Sequence, residues 1–272
     1  MGIAKRRKQE FFSKHPLCCY CGGRRPATTQ DHWPPRSFFW GRVWPVGYVF
    51  PACESCNRVS RIHENLFALL CRVRFDAVKV GVSEETALDE WKSIADGVAY
   101  SLPDVYRSMA MSVTEKRAQL RKLNAAPAPG QTTRDVPLMS IAHPEFGAAA
   151  KTIARKLFCS LYYLHTGRTL TADGRIAFFW RTNSQSLQAF FDENNVRPML
   201  AMFPELRRGP NLLNDQFSYA YSIAHAEVPS AVFGVIFNHA VAMIGIALGE
   251  VANFPRILEH KEWADSLLAP YP

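Results

Sequence analysis

Cys18-Cys19-Tyr20-Cys21-Gly22-Gly23, followed by Asp31-His32-Trp33-Pro34-Pro35 and then by Cys53-Glu54-Ser55-Cys56-Asn57, is the stretch that decides how the amino end of this chain folds. Cys18/Cys21 and Cys53/Cys56 are two Cys-x-x-Cys pairs. Each puts two thiols within one turn, so four sulfurs can close a tetrahedron around a structural Zn²⁺ at ~2.3 Å. Gly22 and Gly23 permit the tight backbone turn that such a knuckle needs. Cys19 is out of step with the spacing. Cys71 and Cys159 stand alone in apolar helical contexts and read as small buried hydrophobes. Seven cysteines, an odd count, argue against a disulfide framework.

Outward from this core, charge is unevenly placed. Residues 1–76 hold 13 Lys/Arg against 5 Asp/Glu, while the rest of the chain balances at 19 of each, so the whole excess of +8 is amino-terminal. A positive field concentrated in this way attracts polyanions, above all a phosphate backbone. The basic run Ala4–Lys8 is followed by Glu10 and Ser13-Lys14-His15 and not by an apolar segment, so no secretory signal is expected and a cytoplasmic protein is. Ala231 to Leu248 is apolar but broken by Asn238-His239, which fits two buried strands and a turn better than a membrane span.

The order Cys-x-x-Cys, Asp-His-x-x-Pro, Cys-x-x-Cys-Asn resembles the zinc-containing branch of the HNH endonucleases over about residues 15–75. The resemblance implies a ββα-metal fold, Mg²⁺ or Mn²⁺ held by Asp31 and Asn57, and His32 as the general base in phosphodiester hydrolysis, preferably of DNA. Defence of a bacterium against foreign DNA is the setting such a protein would suit. The residue chemistry agrees: carboxylate and amide oxygens are hard ligands for these ions, and an imidazole can take a proton from an attacking water. Asp31 and His32, adjacent on extended chain, leave opposite faces and can divide the two tasks.

Two positions depart from the family pattern. Tyr48 stands where the middle asparagine is usual; its hydroxyl can replace the amide, or its presence marks a module that binds without cutting. Ser60 stands where a basic residue is common, with Arg61 next. The alternative to a nuclease is therefore a catalytically inactive, zinc-dependent nucleic-acid-binding module. Arg36, Arg42, Arg58 and Arg61 are the candidate phosphate contacts, and Glu64, two helical turns beyond Asn57, is an auxiliary candidate at the metal. Phe38-Phe39-Trp40 and Trp44 either stack on bases or cap a zinc-centred core, and the small core of a metal fold favours the second.

The expected fold class is α+β. Residues 1–80 form the nuclease-like module, with a basic helix at 5–14 and another from Asn57 to about Val80. Residues 81–123 form a helical connector with helices from Glu84-Glu85 to Val98 and from Asp104 to Leu123, and the Pro/Gly/Thr-rich 124–136 a linker. Residues 137–272 form an accessory region of one amphipathic helix (145–165) and an antiparallel sheet from Ile176–Trp180, Phe217–Ala224, Ala231–Phe237 and Val241–Leu248. It contains no nucleotide loop or nucleophile elbow; His165 and His239 read as structural, and the region is expected to target or assemble, through a protein partner or a second copy of the chain.

Overall fold

Adjacent knuckles and a short hairpin set the amino-terminal architecture. The computed structural model describes residues 2–73, 81–136, 138–182, 203, 206–210, 213, 216–250 and 267–271. Helix α1 (Ile3–Lys14) buries none of its residues. Gly22 and Gly23 follow Cys21 with φ of 67° and 72°. A side chain at Gly22 would also collide with the backbone of Ala172, at 2.6 Å from its nitrogen, so the glycine lets the knuckle sit directly on the chain of the second half. Strands β1 (Thr29–His32) and β2 (Val49–Ala52) pair antiparallel, with Asp31 opposite Phe50 and His32 opposite Val49. Helices α2 (Glu54–Arg58) and α3 (Arg61–Cys71) complete a ββα arrangement.

The single helix expected from Asn57 is thus two, interrupted at Val59-Ser60. Ser60 is fully buried and its hydroxyl is engaged by Glu64 and by Lys156 of a distant helix, which fixes the break. The second of these helices ends at Cys71, with Arg72 and Val73 non-helical, short of the expected end near Val80, and residues 74–80 lie outside the described residues. Helices α4 (Glu84–Ser101), α5 (Pro103–Ser108) and α6 (Val113–Lys122) follow. The sequence predicts one helix over 104–123, but Ser112 caps α6 in a reciprocal capping box with Glu115, and that local hydrogen bonding starts a new helix.

Helix α7 (Pro144–Thr166) packs against an antiparallel sheet of β3 (Arg175–Thr182), β4 (Arg207–Arg208), β5 (Phe217–Ala224), β6 (Ser230–Phe237) and β7 (Val241–Leu248), ordered β3-β7-β6-β5-β4. Gly245 makes the close approach possible: a Cβ there would lie 2.3 Å from the Phe158 ring. Strands β6 and β7 are buried on both faces, which explains their unbroken apolar sequence. Asn238 and His239 turn between them with φ of 50° and 53°, a left-handed conformation that asparagine tolerates better than most residues. No helix among the described residues is long and apolar enough to cross a membrane.

One apolar cluster runs from Cys18 and Tyr20 through Phe38, Phe50 and Phe67 to Phe146 and Leu157 of α7, Phe237 of the sheet and Tyr271. The amino-terminal ββα unit and the α7–sheet unit therefore share a core. Polar ties reinforce it: Asn238 Nδ2 donates to Phe38 O at 2.6 Å and Cys71 O at 3.0 Å, and His63 on α3 bridges Thr152 and Glu145 on α7 at 2.7 and 2.8 Å.

Candidate metal centre and nucleic-acid face

The Sγ atoms of Cys18, Cys21, Cys53 and Cys56 all lie within 4.8 Å of one another, and all four residues are buried. Four sulfurs on a zinc ion stand about 3.8 Å apart for Zn–S bonds of ~2.3 Å, so a small inward adjustment suffices. Gathered so closely, the thiols shift one another's ionisation. A hydrogen bond from Cys56 lowers Cys18 to about 5, its own hydrogen bond to Cys18 pushes Cys56 up, and burial pushes Cys21 up to about 11. A divalent cation would take all four as thiolates. The residues fit a structural zinc. Cys19 stays outside the cluster, as its spacing predicts; Cys71 and Cys159 are buried thiols.

Asp31 points inward from β1, toward the helices, and is 8% exposed. Its neighbour there is Lys156 of α7, whose side chain is completely buried, with Nζ 2.8 Å from Asp31 Oδ2 and 3.0 Å from Glu64 Oε1. Nζ also donates to Ser60 Oγ at 2.9 Å and lies over the Trp33 and Tyr20 rings, 4.5 and 5.4 Å from their centroids. Burial by itself would lower the lysine's pKa, but the two carboxylates outweigh it and hold the ammonium above the ordinary lysine value. Among the described residues the buried Trp33 Nε1 has no hydrogen-bond partner, and the buried Tyr20 hydroxyl lies at Asp31. Sequence reasoning does not single out Lys156, although it carries a signal: it follows Ile153 by three residues and precedes Ser160 by four, which puts it on the buried stripe of α7.

That contact bears on the divalent ion implied by the family resemblance. Asp31, the carboxylate expected to hold it, already carries an ammonium. A dication within about 4 Å of that ammonium would meet roughly 8 kcal/mol of repulsion at an effective dielectric near 20. Asn57, the second implied ligand, is half-buried one residue before the end of α2, and its Nδ2 donates to Thr29 Oγ1 at 3.2 Å. Asp31 and Asn57 thus both face the strand–helix side of the module, but in this arrangement they do not fit a catalytic Mg²⁺ or Mn²⁺.

His32 leaves the opposite face of β1, exposed, with its ring edge-on to Trp44 at 4.6 Å. The backbone of its loop is held by Trp33 N donating to Tyr48 O at 3.1 Å. Tyr48 is buried, and its hydroxyl donates to Tyr219 Oη at 3.0 Å, which is within 3.0 Å of His165 Nε2. The tyrosine in the asparagine position thus ties the histidine loop to β5, a link that the shorter amide would not span. Burial lowers His165 to about 4, so this histidine is a neutral structural group.

Arg36, Arg42, Arg58 and Arg61 are all exposed, with Arg58 2.5 Å from Glu54. Phe38, Phe39 and Trp40 are buried and belong to the core; Phe38 meets Phe67 and Phe237 at 5.3 and 5.5 Å. The fully buried Arg72 clamps their loop, donating to Ser37 O and Phe39 O with its guanidinium 4.8 Å from the Trp40 ring. In comparisons with known proteins, no family model, no curated protein and no solved structure matches this chain.

Proposed function

We propose that this chain is a zinc-dependent nucleic-acid-binding protein built on an HNH-type ββα module, with DNA as the preferred ligand. The observation that carries the reading is the closure of Asp31 by the buried Lys156, which leaves the module with a cationic exterior and an occupied metal-ligand carboxylate. Four exposed arginines and the basic helix α1, none of whose residues is buried, supply phosphate contacts around the zinc knuckles. The buried aromatics supply core instead of stacking surface, so affinity comes from the backbone and falls steeply with salt.

A second reading, phosphodiester hydrolysis with His32 as general base, is favoured by one observation: His32 is exposed on the same module, free of the Lys156 cluster. One experiment separates the two. Plasmid is incubated with wild type and with His32→Ala, in Mg²⁺ or in a chelator too weak to strip the zinc, and both nicking and retention are measured. Retention by both proteins in either condition, with intact plasmid throughout, is the expected result. Nicking by the wild type that disappears in His32→Ala while retention survives would replace binding by hydrolysis. Absence of retention would remove nucleic acid as the ligand and leave a module that docks a protein.

A further inference from the structure

We propose that Lys156 is the resident cation of a buried Asp31–Glu64 site, standing where a metal-dependent relative would hold a divalent ion, so that helix α7 supplies the counter-charge of the strand–helix cleft of the zinc module. The geometry is that of a built cation site. Carboxylates from β1 and α3 approach one ammonium at 2.8 and 3.0 Å, the Ser60 hydroxyl is at 2.9 Å, and the Trp33 and Tyr20 rings offer their faces at 4.5 and 5.4 Å. The lysine has no exposed surface and the carboxylate side chains of Asp31 and Glu64 are 11% and 18% exposed. Two carboxylates cannot share so dry a place without a counter-charge, and the chain provides it from a residue 92 positions beyond Glu64.

Position supports the role. The ammonium is delivered by the helix that seals the shared core, with His63 bridging α3 to Thr152 and Glu145 one and three turns away along that helix. Swinging Lys156 out would require opening the contact between α3 and α7, two helices that both put fully buried residues into the shared core, Leu66 and Phe67 from α3 and Ile153 and Leu157 from α7. A mobile surface lysine could yield to a metal ion; this one is held in place by packing. Charge compensation inside the module is independent of what the exterior binds.

The test uses full-length, zinc-loaded protein and two readouts without nucleic acid: Mn²⁺ uptake by electron paramagnetic resonance, and thermal unfolding with and without Mn²⁺ at constant ionic strength. Wild type is expected to take up no Mn²⁺ in the micromolar range and to melt identically in both conditions. Lys156→Met is expected to melt lower, to bind about one Mn²⁺ per chain, and to regain stability when Mn²⁺ is added. Lys156→Met combined with Asp31→Asn and Glu64→Gln is expected to fold without Mn²⁺ and to bind none. Should Lys156→Met fail to fold, recovery of folding in the triple variant supports the proposal, and its continued failure overturns it. Wild-type Mn²⁺ binding that Asp31→Asn abolishes, or a Lys156→Met protein that melts like wild type and gains no Mn²⁺ site, overturns it as well. Loss of plasmid retention with these results intact would refute the nucleic-acid reading alone.

Discussion

Replacing Asn238 by glycine tests whether the ββα unit and the sheet fold as one body. Glycine accepts the left-handed φ of 50° at this position, so the substitution removes the side chain without straining the turn. What is lost is a buried amide that donates to Phe38 O at 2.6 Å and to Cys71 O at 3.0 Å, the one on the loop after the Asp-His motif and the other at the end of α3. Each carbonyl left without that donor costs about 1–3 kcal/mol, and the added freedom of glycine in the unfolded chain costs about 0.5 kcal/mol more. Removing the buried Asn238 Oδ1, which has no hydrogen-bond partner among the described residues, gives back about 1 kcal/mol, so the expected loss is about 2–5 kcal/mol, a large part of the ~5–15 kcal/mol by which domains are stable. Urea unfolding followed in parallel by tryptophan fluorescence and by zinc release to a chromogenic chelator should give one coincident transition in both proteins, shifted to lower urea in the variant. A shift below about 1 kcal/mol, or a fluorescence midpoint that moves while zinc release stays put, would refute the shared-core account.

Cys56→Ser removes one of four clustered thiols and should reduce bound zinc from about one per chain to none, with a lower midpoint for the whole chain's unfolding; elemental analysis and calorimetry check it, and full zinc retention would exclude the tetrathiolate site. Burial holds His165 at about 4 against ~6.5 in an unfolded chain. The unfolded state therefore binds the extra proton, and this histidine's effect is to make stability fall as pH drops from about 6.5 toward 4. His165→Gln should flatten that part of the acid limb by about 1–2 kcal/mol, less than the ~3 kcal/mol of the full shift because water screens the half-buried ring, measured by urea unfolding across the range; an unchanged pH profile would mean that His165 is charged in the folded state.

Where chemistry is local in sequence, the residues alone disclose it. Two knuckle pairs need only their own spacing, and they do gather. Strands β5, β6 and β7 lie within a residue of where apolar runs and turn residues put them, because Asn238-His239 punctuates an otherwise unbroken run. The breaks within the two expected long helices escape such a reading for a common reason. Ser60 and Ser112 each satisfy side-chain partners that end or begin a helix, an effect that helical periodicity does not register. The site is legible only in part: opposite faces for Asp31 and His32 follow from strand geometry, but the occupant of the inner face comes from α7, far along the chain. A lysine on an amphipathic helix ordinarily reads as a surface charge, and only its place on the buried stripe distinguishes Lys156. Tyr48 is similar, since its partner Tyr219 belongs to the sheet.

Anomalous diffraction from crystals soaked in Mn²⁺ puts the two cation sites side by side. Data at the zinc edge should show one peak among Cys18, Cys21, Cys53 and Cys56, and data collected for manganese should show none between Asp31 and Asn57, with Lys156 still against the aspartate. A manganese peak bonded to Asp31 and Asn57, with the lysine displaced, would contradict the account and restore the metal-dependent site.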